Sequence, residues 1–529
     1  MACRFRFLVV VFLSALCTGA RATEIPAIAY HDIVAQPGAD PFAVTRAAFL
    51  EQMAYLAEQG YTPVSLAQLE AARQGRAVLP PRPVLLSFDD GLKSFREIAL
   101  PILARYGYPA VLSVVTAWAD GHDVPPAYRG RVMSWSEIRE VARSPLVEVI
   151  SHSHDWHRLI PSDPQGGEAP AGVTRRYDAA AGGYESEEKF RERIRADLAR
   201  TRERLRAEIG SEPMGIAWPY GEYDGVLIEQ AARLGMRYHL TLDPEPNTLE
   251  TLPRINRGTF YRYRSLADLS AILSFRAYKQ RQWRFVRLEM NLFAGRSRAE
   301  QEQLLSRLLA RLELLSVNAV LIAPLSRDGR RAYFANPVLP VETDLLNHIL
   351  QRIAVKNGIA ERWLEIAAPP PGQAAQAWRS LHTELVRRHR FTAVVLTGAD
   401  HEEAMVQARA LFGVFRPNLK VGVRAPAPVA VLAQADFILW PLEVGPTPAA
   451  ASLLTREAAR AHEAKGPPIL FLLRRSAGLD DARLGQAMRA LRSAGARHYG
   501  YENDDPLAGS PDVHAIGREL RAHTIARKE

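Results

Sequence analysis

The 529-residue chain has almost no cysteine. Its two cysteines, Cys3 and Cys17, both fall in the first 22 residues. The rest of the chain therefore has no disulfide, no thiolate-bound metal and no thiol nucleophile. That composition suits an oxidising compartment. Long apolar runs are also scarce. After Phe7–Leu16, no stretch is long enough to cross a bilayer. No fixed-period repeat is present, which argues against a solenoid. A basic stripe with interleaved aromatics is missing too, although Lys+Arg outnumber Asp+Glu by 67 to 58 and the formal net charge is +9. Lys279–Arg287 and Arg387–Arg390 come nearest, but both are short and read as a linker or a helix face. Nucleic acid is not an expected partner.

What is present is a globular composition, 47% hydrophobic and 24% charged, with length for two large domains. Met1–Ala22 reads as a secretory signal. Arg4 and Arg6 give a positive start, Phe7–Leu16 an apolar core, and Ala20-Arg21-Ala22 a cleavage site before Thr23. Cleavage there removes three arginines, leaving 64 basic against 58 acidic residues, or +6. The expected location is the periplasm. The alternative is an outer-membrane lipoprotein anchored through Cys17, against which Leu16 counts, because that slot favours a small residue.

The stretch Ser87-Phe88-Asp89-Asp90-Gly91 organises the first half. A short apolar run, Val84–Phe88, leads straight into two adjacent carboxylates. Parallel α/β sheets and barrels place their chemistry at such strand ends. Two acids there suggest divided work, one holding a metal and the other handling a proton. Three histidines, His152, His154 and His157, follow a second apolar run, Leu146–Ile150. Asp90 with two of them would make the open three-ligand pattern of a catalytic zinc site. Ala217-Trp218-Pro219-Tyr220-Gly221 places an aromatic pair on a turn, suited to a sugar-groove wall. Tyr30-His31-Asp32 closes the run Ile25–Ala29.

Between these stretches the pattern alternates strand and helix. Thr45 caps a helix whose Phe49, Met53 and Leu56 share one face. Phe95–Tyr106 and Glu187–Ile209 read as helices, and Ala110–Val115, Gly215–Trp218 and Arg237–Thr241 as strands. Pro161–Gly183 is long for a loop and rich in Gly and Pro. It reads as a lid or groove wall, with a disordered insertion as the alternative. Beyond Tyr278 eight strand-like runs recur: Phe285–Met290, Ala319–Ala323, Trp363–Ala367, Ala393–Thr397, Lys420–Arg424, Phe437–Trp440, Pro468–Leu473 and Arg497–Tyr501. Eight strands in about 240 residues suit a (β/α)8 barrel.

These motifs together resemble the polysaccharide deacetylase family of NodB-homology type, and within it the PgaB-type poly-β-1,6-N-acetyl-D-glucosamine N-deacetylases of biofilm export. Ser87–Gly91 matches the first family motif. His152 and His157 match the second, in the His-x4-His spacing of the subgroup. Ala217–Tyr220 matches the third, except that Ala217 replaces the arginine usual in the wider family. Tyr30-His31-Asp32 matches the subgroup's displaced catalytic histidine. The resemblance covers Ile25–Leu273 well and the remainder more weakly. It implies a distorted (β/α) deacetylase barrel over residues 23–275. A (β/α)8 glycoside-hydrolase-like barrel over 276–520 follows.

The resemblance also implies roles. Asp90, His152 and His157 hold one divalent metal ion, zinc first, with nickel, cobalt or iron as alternatives. Asp89 is the base, His31 the acid to the leaving nitrogen, and the Tyr220 backbone N–H, with Trp218 beside it, completes the oxyanion and substrate site. His154 is expected to be a structural imidazole. In the second barrel the family's acidic positions fall on Thr397-Gly398-Ala399, and Asp400 comes one place late. Glu289, Glu443 and Glu502 also lie near strand ends. This barrel is expected to bind polymer through Trp283, Tyr333, Phe334 and Trp440 without cleaving it. The expected partners are an N-acetylglucosamine polymer and an outer-membrane export porin, and the expected state is a monomer. The alternatives are a non-catalytic carbohydrate-binding export scaffold, or a deacetylase of another glycan such as peptidoglycan or chitin.

Overall fold

A computed structural model describes residues 23–36, 38, 40–261, 264–369, 374–398, 402–425, 434–445, 456, 466–476 and 480–521. The signal segment with Cys3 and Cys17 lies outside the described residues, as do Ala399 and Asp400.

The first half is a parallel sheet of β1 (Ala27–Tyr30), β2 (Pro83–Phe88), β3 (Ala110–Val114), β4 (Val147–Ser151), β5 (Gly215–Ala217), β6 (Tyr238–Thr241), β7 (Arg254–Asn256) and β8 (Gly258–Thr259). Its order is β7-β6-β5-β4-β3-β2-β1-β8. Every residue of β1, β2 and β3 is buried. That is the reason these strands read as continuous apolar runs without alternation. The first six strands, β1 to β6, fall on or within a residue of their expected runs. The two closing strands were not expected, since they are three and two residues long and include Arg254, Asn256 and Gly258.

Only Arg257 separates β7 from β8. One continuous stretch of chain therefore supplies both edges of the sheet, which wraps into a nearly closed barrel with Arg257 at the seam. The Arg46–Glu58 helix packs outside it. Thr45 Oγ1 accepts the Ala48 N–H at 3.2 Å, and Phe49, Met53 and Leu56 are buried.

The second half is a closed parallel barrel of β9 (Arg284–Glu289), β10 (Ala319–Ala323), β11 (Glu361–Ala367), β12 (Ala393–Thr397), β13 (Lys420–Arg424), β14 (Phe437–Val444), β15 (Ile469–Arg475) and β16 (His498–Tyr501). All eight expected runs are strands. Phe285, Leu321, Trp363, Val395, Leu439 and Leu472 belong to its inner core. A larger apolar layer joins the strands to the surrounding helices.

The four aromatics expected to stack on sugar correct that reading. Trp283, Tyr333, Phe334 and Trp440 are all buried. Trp283 lies just before β9, at the opposite end from the mouth, where it packs on Trp363 and His498. These rings are core, placed there by their apolar area.

Pro161–Gly183 is also different from its expected role. It runs through two short antiparallel pairs, Leu159–Pro161 with Glu168–Pro170 and Tyr177–Asp178 with Gly183–Tyr184. These lodge against the second barrel. Gln165 Nε2 donates to Asp344 O at 2.8 Å, and Tyr184 OH donates to Asp344 Oδ2 at 2.6 Å. Asn347 Nδ2 donates to Ser162 O at 3.1 Å and Arg390 Nη2 to Val173 O at 2.7 Å. The segment is a bracket between the barrels. Among the described residues, no helix is long and apolar enough to cross a membrane.

Candidate active site

The carboxyl ends of β1, β2, β4 and β5 bring the expected residues together. Asp89 continues β2, its N–H bonded to Tyr30 O at 2.9 Å. Asp90 then enters the left-handed region at φ 74° and Gly91 follows at φ 67°. This bend brings two neighbouring acids into one cleft, although an extended strand would send them to opposite faces. Eight non-glycine residues among those described have positive φ, and Asp90, Ser153 and Tyr220 are three of them. Backbone strain thus collects where the chemistry is expected.

Asp90 Oδ1 lies 3.4 Å from His152 Nε2 and 3.3 Å from His157 Nε2. All three donor atoms lie within 4.8 Å of one another, the one such trio among the described residues. Four ligands set tetrahedrally at 2.0–2.1 Å from zinc stand about 3.3–3.4 Å apart, so the two measured separations fit a shared ion. Both Asp90 oxygens are buried without a hydrogen-bond partner, a costly state for a carboxylate unless a cation sits there. His152 Nδ1 donates to Ala217 O at 2.7 Å, which turns the Nε2 lone pair toward Asp90. The protonation states also fit. Burial opposes the charge of Asp90, but His157 and His152 outweigh it and bring its carboxyl down to about 2. Burial holds His157 down to about 4, so its imidazole is a neutral donor at neutral pH.

Asp89 has different partners. Arg257 Nη1 donates to its Oδ1 at 2.8 Å and Ser113 Oγ donates to the same oxygen at 2.7 Å. Burial works against the carboxylate, yet Arg257 and His152 hold it well below the usual range. Asp89 is thus a fixed, charged acceptor beside the Asp90 trio. Sequence reading missed Arg257, because no pattern marks an arginine between two very short strands. It places a guanidinium on the first acid, delivered from the barrel seam.

His31 follows β1. Its ring packs on Phe42 at 5.0 Å, and its buried Nδ1 has no hydrogen-bond partner. Next to it, Asp32 is ion-paired with Arg131. Tyr220 is 42% exposed, with its ring centroid 4.7 Å from that of His157. Burial and then Asp90 push its hydroxyl up to about 12, which keeps it neutral. Trp118 packs on the same imidazole at 4.9 Å. Trp218 corrects its expected place on the groove wall. It is 1% exposed and stacks on His239 at 5.7 Å, so it backs the site without offering a face to ligand. His154 lies outside the trio, its Nδ1 2.9 Å from Thr116 Oγ1.

The mouth of the second barrel carries a chain of alternating charge. Arg327 and Arg287 pair with Glu289, Arg287 and Arg424 with Glu365, and Arg424 and Arg474 with Glu502. A cavity of about 280 Å³ lies over it. Glu443 is exposed and accepts from Ser476 Oγ at 3.0 Å.

The fold and first site together fit a deacetylase-type domain, and sequence comparison agrees. The polysaccharide deacetylase family pattern matches residues 76–239. The first half of the chain thus carries a polysaccharide deacetylase domain. The chain is similar to the poly-beta-1,6-N-acetyl-D-glucosamine N-deacetylase of Escherichia coli K12, 30% identical over 348 residues, covering 63% of this chain and 51% of that protein. The chain thus spans about half the length of the curated relatives it matches at that identity. Among solved structures it resembles the BpsB deacetylase domain from Bordetella bronchiseptica, at 34% identity, 45% of this chain, 95% of that chain and TM-score 0.41. It also resembles the PgaB (BpsB) glycoside hydrolase domain of the same organism, at 15% identity, 46% and 100% coverage and TM-score 0.41.

Proposed function

We propose that the first barrel, residues 23–275, removes N-acetyl groups from poly-β-1,6-N-acetyl-D-glucosamine, releasing acetate. The observation that carries this reading is the Asp90–His152–His157 trio with a separately tethered Asp89 beside it. A scaffold that only binds sugar has no use for two acids so differently partnered. The named relatives supply the polymer.

Asp90, His152 and His157 would hold one divalent ion, with zinc proposed on the nitrogen and oxygen donors. When bound, such an ion polarises the acetyl oxygen and lowers the pKa of water to about 7. Asp89 accepts the proton of the attacking water, whose oxygen bonds to the acetyl carbon. Arg257 and Ser113 orient that carboxylate by engaging Oδ1, which leaves Oδ2 for the proton. His31 delivers a proton to the nitrogen as the C–N bond breaks, so the products are acetate and a free amine. The Tyr220 N–H is assigned to the developing oxyanion.

The second barrel, residues 276–520, is assigned to polymer contact without cleavage. Glu289, Glu365 and Glu502 each carry guanidinium partners, and a general acid needs a proton that such partners disfavour. A periplasmic location, release of Met1–Ala22, a monomeric state and a neighbouring export porin complete the reading. An intact mass beginning at Thr23 supports that location, and a lipidated Cys17 overturns it.

The deciding experiment measures acetate from defined oligomers of β-1,6-linked N-acetylglucosamine, chitin and peptidoglycan, with and without chelator. Chelator-sensitive release from the β-1,6 oligomers is expected. Release from chitin or peptidoglycan alone overturns the polymer assignment, and no release at all overturns the activity.

A further inference from the structure

His152 and His157 are five residues apart, so no helix face presents both. The loop Ser151–His157 must do so, and a loop is the less exact support for a metal site. What fixes it comes from the Glu187–Ile209 helix. Asp197 on that helix is buried, and its two oxygens take separate backbone donors. His154 N–H donates to Oδ1 at 2.8 Å and Asp155 N–H donates to Oδ2 at 2.7 Å. One turn later, Thr201 Oγ1 lies 3.0 Å from Ser151 Oγ, which also accepts the Ser153 N–H at 2.9 Å. Ser153 takes φ 71° and its Oγ accepts the Trp156 N–H at 3.1 Å.

The loop's other edge is tied to residues after β3. Thr116 N–H donates to Ser153 O at 3.2 Å and Ala117 N–H to His154 O at 3.1 Å. Thr116 Oγ1 engages the His154 ring. The residues between the two ligands are therefore held from both sides, and Asp197 is the only ionisable side chain of the helix engaged in this.

Asp197 is an unusual choice for simple packing. Among the described residues no cation lies within ion-pair distance of it, and burial opposes its charge against the pull of the two amides. A neutral acceptor would satisfy one N–H at lower cost. A carboxylate, with two acceptor oxygens in one plane, clamps two successive amides at once. That clamp sets where the loop leaves His152 and returns at His157.

We propose that Asp197 is a positioning residue for the metal-ligand pair, acting through the loop backbone, so that it sets metal affinity without touching the ion. This rests on the ligand assignment above, and its test is kept apart from turnover. The full-length protein, stripped of metal, is titrated with Zn²⁺ against a chromophoric chelator, and its metal-free melting temperature is recorded. Asp197→Asn keeps the shape and one acceptor but loses the second. The expected result is a 10–100-fold weaker Zn²⁺ affinity, with the metal-free melting temperature within about 3 °C of wild type. Asp197→Asn that binds Zn²⁺ within twofold of wild type overturns the proposal. Should Asp197→Asn fail to fold, Thr201→Val decides, since it loosens the same loop at Ser151. A three- to tenfold loss of affinity then supports the clamp and an unchanged affinity refutes it. Wild-type protein that takes up no Zn²⁺ overturns the ligand assignment itself, whatever the variants do.

Discussion

Removal of the Arg257 guanidinium gives the sharpest prediction. Its Nη1 lies 2.8 Å from Asp89 Oδ1, and the two side chains are 1% and 5% exposed. At an effective dielectric near 20, that separation is worth roughly 6 kcal/mol of attraction. Arg257→Gln removes the charge and leaves the Asp89 carboxylate buried with only the Ser113 hydroxyl on the same oxygen. Breaking one side of a buried pair costs about 3–5 kcal/mol. For a barrel of this size that is roughly 6–20 °C in melting temperature. Calorimetry of the metal-free protein, following the first barrel's transition, reads the loss directly.

The double variant Asp89→Asn with Arg257→Gln should recover most of it, because no unpaired charge remains. Acetate release by Arg257→Gln should fall about 10²-fold, since the base is no longer held in place. A loss under about 1 kcal/mol, or a double variant no more stable than Arg257→Gln alone, refutes the tether.

Three further outcomes are expected. Asp90→Ala and His157→Ala should each lose bound metal and acetate release together, whereas Asp89→Asn should keep the metal and lose about 10²–10⁴ in rate; metal analysis beside an acetate assay separates them. Burial brings the His389 imidazole down to about 3, with its Nδ1 2.9 Å from Leu385 O. It therefore stays neutral in the folded protein while the unfolded chain takes up a proton below about pH 6.5. That stability is complete above pH 6.5 and is lost as pH falls toward 3. His389→Gln should flatten the dependence of unfolding free energy between pH 4.5 and 6 by about 1.4 kcal/mol per pH unit, measured by denaturant titration. Prolonged incubation of partially deacetylated oligomers with the full chain should leave their length unchanged by mass spectrometry. Shortened products that vanish in Asp400→Asn would identify a working acid in the second barrel.

Much of this architecture was legible in the residues. Parallel strands covered on both faces must be continuous apolar runs, so β2, β3 and all eight strands of the second barrel stood out within a few residues. The trio was legible because Asp90, His152 and His157 each follow such a run. The rest depends on contacts distant in sequence. Asp89 and Arg257 are 168 residues apart and Asp197 lies 40 beyond His157, and no local pattern marks either pairing. Aromatics misled in the other direction. Trp218, Trp283, Tyr333, Phe334 and Trp440 sit near strand ends in sequence, but a barrel wall buries ring area as readily as a groove exposes it. Pro161–Gly183 misled because Gly and Pro announce a bend without saying what the bend rests on.

The seam at Arg257 carries a consequence for the order of events during synthesis. His31, Asp89, Asp90, His152, His157 and Tyr220 all leave the ribosome before it does. The three residues of the Asp90 trio are all made while Asp89 still lacks its counter-charge. The cation arrives only with the stretch that joins the two sheet edges, so closing the barrel and arming the base are one event. A fragment ending at residue 253 lacks β7, Arg257 and β8, and so loses the counter-charge of Asp89 and both edges of the sheet together.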